Sequence, residues 1–325
     1  MENSSLRRFR YIFPLLTMLV IGAGLFYRQD ISDWYRLRDY SAPSSVAGLA
    51  KRTTMTDEGK KLFYVSHPNI YGKSEFNRYC NFNELSIILG CYVSNRGVYG
   101  DIYLYNIKDS RLNGVLEVTA AHEMLHAAYE RLSPSERERV DKMLANEFKK
   151  NKDKRLSETI EQYKKQDPNV VPNELHSILG TESRDLSPDL EAYYSRYFVD
   201  REKVVSFSEQ YESEFTKRRV AVDQYDLQLK ALKEEIESNE TIMNKKVAGL
   251  RQEQADLEKM RSSAEPSEFN SRVSSFNQSV SEYNALVSTT KGLIARHNEL
   301  VSKRNEIALE AQELAEAIDS RPQSL

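Results

Sequence analysis

One short segment, His122-Glu123-Met124-Leu125-His126, carries the side chains best suited to catalysis. Residues four apart lie on the same face of an α-helix, so both imidazoles can reach a single metal ion. This His-Glu-x-x-His spacing favours Zn²⁺. Glu123 would then lie beside the ion, where its carboxylate can take a proton from an attacking water. The alternative is a helix with two half-buried, hydrogen-bonded histidines and no metal.

Hydrolytic zinc sites use three protein ligands and leave one position open, so a third ligand is expected elsewhere in the chain. A second segment is its candidate source. It reads Asn173-Glu174-Leu175-His176-Ser177-Ile178-Leu179-Gly180-Thr181. The two segments together resemble the zinc helices of the gluzincin metallopeptidases, the thermolysin-like group. That resemblance implies a zincin-like domain that hydrolyses peptide bonds, with Glu174 as the third ligand. It is confined to residues 122–181.

His176 is a rival for the third ligand position and would complete a three-histidine site. On a regular helix it points about 200° away from Glu174, so only one of the two faces the metal. If Glu174 is the ligand, His176 is a polar neighbour or an oxyanion donor. Tyr194, with Tyr193 and Tyr197 on the same expected helix, is another candidate oxyanion donor. The alternative is that these tyrosines belong to the hydrophobic core.

The sequence departs from the gluzincin pattern in two places. The segment between the two motifs is longer than in that group. Ile178 stands where the group has an aspartate that orients a zinc-bound histidine. Glu182 or Asp185 is expected to take over that role.

The elements around these motifs indicate an α+β domain over residues 58–200. A small antiparallel sheet is expected from four short apolar runs, and Asp101–Tyr105 is the candidate edge strand that holds a peptide. The runs are Leu62–Val65, Ser86–Leu89, Cys91–Val93 and Asp101–Tyr105. Helices are expected next, at 112–132, 135–150, 156–165, from 173 and at 188–198.

Residues 201–318 carry two heptad arrays separated by one break, Ser263-Ala264-Glu265-Pro266-Ser267. Such arrays predict a long antiparallel coiled-coil hairpin, followed by a tail at 319–325. The first array has Leu229, Ile236, Met243, Leu250 and Leu257, and the second has Val273, Val280, Val287, Ile294 and Val301. Asn239 and Lys246 fall at inward positions, and His297 is expected to be structural. The hairpin is a candidate surface for a protein partner or for self-association.

The N-terminus suggests a membrane anchor. A basic segment over 1–10, expected in the cytoplasm, precedes an uncharged run at 11–27, and a polar linker is expected at 28–57. The run nearly spans a bilayer core of about 30 Å, and the preceding arginines place the following domain outside the cytoplasm. The expected location is therefore the cell membrane, with a single pass. The alternative is a cleaved signal peptide, although an A-x-A-like site is absent after the run.

Two cysteines occur in the chain, Cys80 and Cys91, both in the region expected to form the sheet. In an oxidising compartment such a pair predicts a disulfide, and the alternative is two buried thiols.

The net charge is -3, with basic and acidic residues interspersed, so nucleic acid is not an expected partner. The expected function is zinc-dependent hydrolysis of peptides or proteins. The alternative function is a non-enzymatic envelope scaffold that acts through its coiled coil.

Overall fold

The computed structural model describes residues 17–19, 21–22, 24, 27–80, 87–95 and 99–322. The chain divides into two compact units. The first, called the head here, comprises Met1–Ser213 together with Glu316–Leu325. The second comprises Glu214–Ala315 and contains most of the two long helices.

The region expected to be a linker, 28–57, folds instead as part of the head. It contains helices α1 (Arg28–Leu37) and α2 (Ser44–Arg52), and α2 buries Val46, Leu49 and Ala50 in the main hydrophobic core. An apolar residue at every third or fourth position gives α2 one buried face, which is why it packs rather than remaining a connector.

The run Leu62–Val65, predicted as a strand, is helical and ends α3 (Asp57–Val65). Thr56 caps this helix by accepting a hydrogen bond from the backbone N–H of Gly59. The cap and the acidic first turn favour a helix over the strand that the apolar run suggested.

The sheet has three strands, β1 (Asn69–Tyr71), β2 (Gly90–Asn95) and β3 (Tyr99–Tyr105), and helix α4 (Lys73–Tyr79) follows β1. Their order is β1-β3-β2, with β2 antiparallel and β1 parallel to β3. The predicted antiparallel sheet is therefore mixed, because α4 provides the crossover that a parallel pair needs. Of the run predicted at 86–89, residues 87–89 are not in a strand, and Ser86 lies outside the described residues.

The helices predicted after the sheet are present. A short 3₁₀ turn at Ser110–Leu112 leads into the motif helix, which begins after Gly114 at a φ of 102° that suits glycine. The helices are α5 (Val115–Glu130), α6 (Pro134–Lys150), α7 (Lys154–Gln166), α8 (Val171–Glu182) and α9 (Pro188–Tyr194). Helix α5 is buried along most of its length and packs against α8 and the sheet, so it forms the centre of the head.

The predicted long helical hairpin is confirmed as α10 (Arg201–Met260) and α11 (Pro266–Ile318). Three ion pairs join the two helices. The partners of successive residues along α10 come progressively earlier in α11, so the helices run antiparallel. The pairs are Arg218–Glu310, Asp226–Arg304 and Lys246–Glu282. Asn239 is half-buried, as its inward heptad position predicts, whereas Ile294 is 40% exposed.

The predicted membrane anchor is wrong. Within the described part of the chain, every helix is too short or too polar to cross a bilayer. This finding corrects the transmembrane segment at 11–27, the membrane contact through it and the single-pass location. Residues 1–16 of the N-terminus, and positions 20, 23, 25 and 26 of the run, lie outside the described residues.

Candidate metal centre

His122 and His126 lie one turn apart on α5, and Glu174 faces them from the first turn of α8. The Nε2 atoms of His122 and His126 lie 3.7 Å from Oε2 and 3.7 Å from Oε1 of Glu174, respectively. The rings meet edge to face with centroids 4.7 Å apart. Packing of α8 against α5 therefore brings the three predicted metal ligands together.

The spacing of these atoms suits a metal ion. Two ligand atoms about 2.1 Å from a tetrahedral zinc ion lie roughly 3.4 Å apart, a few tenths of an ångström less than the 3.7 Å here. At 3.7 Å a direct hydrogen bond is too long, and Oε2 of Glu174 is buried without a hydrogen-bond partner. A cation between the three side chains would satisfy that oxygen.

His122, Glu123 and His126 also form a group that can hold a metal ion, with one ligand atom of each within 4.8 Å of the others. Both carboxylates therefore border the same position. Glu174 approaches both imidazoles directly, whereas Glu123 accepts a hydrogen bond from the backbone N–H of Tyr92. That difference favours Glu174 as the ligand and leaves Glu123 beside it.

The orientation of His126 comes from α8. Its Nδ1 lies 3.0 Å from Oδ1 of Asn173 and 3.3 Å from Oγ of Ser177. Because an amide oxygen only accepts, Nδ1 donates the hydrogen and Nε2 keeps its lone pair for a metal. Glu182 and Asp185, predicted for this role, do not fill it: Glu182 pairs with Arg155 at 2.7 Å, and Asp185 is exposed.

Glu174 is held as a carboxylate. Burial alone raises its pKa, but the nearby imidazoles of His122 and His126, with the hydroxyl of Tyr163, outweigh that effect and lower it. Tyr163 lies on α7 and lines the same cleft, and burial with the neighbouring carboxylate raises its own pKa. No sequence signal marked Tyr163, whereas Asn173 stood in the second motif.

Glu123 is 5% exposed, and burial raises the pKa of its carboxyl to about 7. Glu174 raises it further, while His126 and the Tyr92 N–H lower it. A cation beside this group would lower its pKa further. A Cβ added to Gly90 would lie 2.8 Å from Oε1 of Glu123, so a glycine is required where β2 passes the motif helix.

His176, the rival ligand, faces the core. It is completely buried, and its Nε2 hydrogen-bonds to the hydroxyl of Tyr193 at 2.9 Å. Burial lowers its pKa to about 3, so it is neutral. Tyr194 is also completely buried and donates to the backbone carbonyl of His176 at 2.7 Å. Neither side chain borders the cleft, so both predictions of an oxyanion role are wrong.

A cleft of about 850 Å³ is lined in part by His122, His126 and Glu174, the three candidate ligands. Its floor is α5, and its walls are β2 on one side and α7 with the start of α8 on the other. The polar and aromatic residues around the ligands include Thr119, Tyr163, Gln166, Asp167, Glu182 and Tyr211. This cleft is large enough for several residues of an extended peptide.

The wall strand β2, not the predicted Asp101–Tyr105, is the sheet edge that borders the cleft. Asp101–Tyr105 lies in β3, which pairs on both sides. The N–H of Tyr105 donates to the carbonyl of Leu89 at 2.8 Å, and this register directs the backbone groups of Gly90 and Tyr92 away from β3. A disulfide joins Cys91 of β2 to Cys80, with the Cα atoms 5.9 Å apart.

No family model, curated protein or solved structure matches this chain. A functional assignment therefore depends on the residues of the cleft and their geometry.

Proposed function

We propose that the protein is a zinc-dependent peptidase, with His122, His126 and Glu174 as the metal ligands and Glu123 as the general base. The observation that carries this proposal is the approach of Glu174 to both imidazoles from a separate helix. The gluzincin resemblance of the two sequence motifs implies the same three ligands. The motifs and the packing of the two helices thus support one site.

A zinc ion held by His122, His126 and Glu174 would supply Lewis-acid chemistry for the scissile carbonyl and the attacking water. Glu123 takes the proton from that water and passes it to the leaving amine. Its burial against β2 serves this role, since burial raises the pKa of the carboxyl and so favours the uptake of a proton, while a cation beside it would offset part of that rise. Asn173 keeps His126 in the tautomer that binds a metal.

The peptide substrate would lie along the outer edge of β2. Gly90 faces the cleft with backbone groups that can pair with an extended chain, whereas the N–H of Tyr92 bonds to Glu123 and leaves only its carbonyl for a substrate. The hydroxyl of Tyr163 lies beside Glu174 in the cleft lining, and by turning from that carboxylate it would donate to the oxyanion that develops at the carbonyl. Its raised pKa keeps that hydroxyl protonated.

The test uses the full chain and measures bound zinc and cleavage separately. Wild type should bind one zinc ion per chain, and Glu174→Ala should bind it at least about 100-fold more weakly. Glu158→Ala is the control, because Glu158 lies exposed on α7 and outside the cleft. An unchanged zinc affinity in Glu174→Ala would remove this residue from the site.

Cleavage tests the general base. Glu123→Gln should keep the zinc and lose at least about a hundredfold in the cleavage rate of an unfolded protein such as casein. Glu117→Gln is the matched control on the same helix, since Glu117 pairs with Arg52 instead of facing the cleft. Retained activity in Glu123→Gln rejects the mechanism. A wild-type protein without zinc or cleavage would favour the non-enzymatic scaffold function of the helical hairpin.

A further inference from the structure

The chain returns to the cleft after the long helix α11 ends at Ile318. Ser320 is 2% exposed, and its Oγ accepts a hydrogen bond from the backbone N–H of Ile88 at 3.1 Å. Its carbonyl accepts a hydrogen bond from the side-chain amide of Asn77 at 2.8 Å. These bonds join residue 320 to helix α4 and to the loop that leads into β2, so the return segment is part of the cleft wall.

This anchor places Arg321 in the lining of the cleft. Asp319 holds the arginine: its carboxylate accepts from the backbone N–H at 2.9 Å, from Nε at 2.8 Å and from Nη2 at 2.7 Å. The Arg321 side chain is 41% exposed, so the guanidinium is both oriented and accessible. Asp319 occupies Nε and one hydrogen of Nη2, so the opposite Nη1–Nη2 edge of the guanidinium is the one that can bind the two oxygens of a second carboxylate.

The charges of the cleft single out this position. Among the described lining residues Arg321 is the one lysine or arginine, and the others with formal charge are carboxylates. Two of these belong to the candidate metal centre, Glu182 pairs with Arg155, and Asp167 accepts from the backbone N–H of Asn169. An anionic group of a peptide would therefore be repelled along most of the cleft but not at Arg321, whose charge is balanced by Asp319 and whose remaining guanidinium N–H groups can donate to it.

The strand geometry relates this position to the reacting bond. Gly90 borders Glu123, and Ile88, which contacts the return segment, precedes it by two residues or roughly 7 Å of extended chain. Antiparallel pairing is the more stable arrangement. A peptide paired antiparallel to β2 has its C-terminal part at the start of that strand. The residues after the scissile bond would then pass Arg321.

We infer that Arg321 is a specificity-determining residue that binds a carboxylate of the substrate about two residues after the scissile bond. This inference rests on the proposed peptidase function and adds a substrate class to it. The carboxylate is either a free peptide C-terminus or the side chain of an aspartate or glutamate. Ser320 is the positioning residue that holds the arginine there.

The experiment measures binding and cleavage with matched peptides. A sequence cleaved by the zinc-loaded protein is selected from a mixed peptide library and synthesised in four forms. Two end two residues after the scissile bond, one as a free acid and one as an amide. The other two continue beyond that position, one with a glutamate there and one with a glutamine. Binding is measured by fluorescence anisotropy on the inactive Glu123→Gln protein, and kcat/KM on the active one.

In Arg321→Ala the anionic peptides should bind about tenfold more weakly, with KM raised and kcat nearly unchanged, while the neutral peptides change less than about twofold. Arg321→Glu should reverse the preference. Arg111→Ala is the control, because Asp109 holds Arg111 in the same geometry outside the cleft lining. The free-acid and glutamate pairs distinguish the two sources of the carboxylate.

Equal discrimination between anionic and neutral peptides in wild type and Arg321→Ala would overturn the inference. Failure of the proposed function looks different: zinc and cleavage would be absent in wild type. Random peptides with acidic or amidated C-termini would then serve as binding probes. Arginine-dependent binding of the acidic probes would support a carboxylate site by itself, and its absence would reject that site.

Discussion

Replacement of Asn173 by alanine isolates the contribution of one hydrogen bond to the candidate metal centre. The amide oxygen of Asn173 lies 3.0 Å from Nδ1 of His126. Among the described residues, it forms no hydrogen bond with His122, Glu123 or Glu174. The substitution removes the acceptor and leaves the three proposed ligands in place. Its effect on zinc affinity therefore reports on the orientation of His126.

The magnitude follows from the burial of that imidazole. His126 is 9% exposed, so water replaces the lost acceptor poorly, and a buried donor without a partner costs about 1–3 kcal/mol. Ser177, at 3.3 Å from the same nitrogen, can recover part of this by accepting. A net loss of about 1–2 kcal/mol corresponds to a zinc dissociation constant raised about 5- to 30-fold.

The assay is competition for zinc against a chromophoric chelator at fixed pH. Asn173→Asp is the informative companion, because its carboxylate can accept the same hydrogen bond and should keep the affinity within about threefold of wild type or strengthen it. Asn169→Ala, with its exposed side chain on the preceding turn, controls for general effects. A dissociation constant within twofold of wild type for Asn173→Ala, with normal folding, would refute the proposed tautomer control.

Three further predictions concern the head. Gly90→Ala places a Cβ 2.5 Å from the Thr119 side chain and should lower kcat/KM at least about tenfold by displacing β2, with zinc affinity kept; an unchanged rate would contradict the close packing. Asp33→Ala should lower the free energy of unfolding in urea by about 3 kcal/mol, because it leaves the half-buried guanidinium of Arg131 without the buried carboxylate that holds it at 2.9 Å. The exposed Asp30→Ala serves as its control, and a similar small change in both would oppose the reasoning. Serine at both cysteines should cost about 2–3 kcal/mol, and reduced wild type should unfold at the same urea concentration as that variant.

The long periodic segments were predictable because their structure depends on local pattern. Heptads over residues 201–318 predicted the hairpin, and the polar residue Asn239 kept its inward position. Short apolar runs were ambiguous, since four such residues suit a strand and a buried helix equally. Leu62–Val65 became helical because the cap and the packing of α3 decide it, and neither is contained in the run itself. The uncharged run at 11–27 predicted a membrane anchor from hydropathy alone, and among the described residues no helix is long and apolar enough to cross a bilayer.

The part of the candidate site that lies on a single helix was predictable from the sequence. The spacing of His122 and His126 by itself places both imidazoles on one face. The choice between Glu174 and His176 needed the rotation of α8 about its axis, which only packing against α5 determines. Tyr163, Gly90 and Arg321 reach the cleft from distant parts of the chain, and no local pattern marked them.

Local spacing thus determined the metal-binding face of one helix and the antiparallel hairpin, because both depend on residues a few positions apart. The tertiary structure decided which carboxylate meets the imidazoles, which strand is the edge beside them, and where the chain end returns. Each of those depends on burial of apolar faces between elements far apart in sequence. The packing of α8 and β2 against α5 fixes the position of the carboxylate and of the edge strand. The hydrogen bonds of Ser320 fix the position of the return segment.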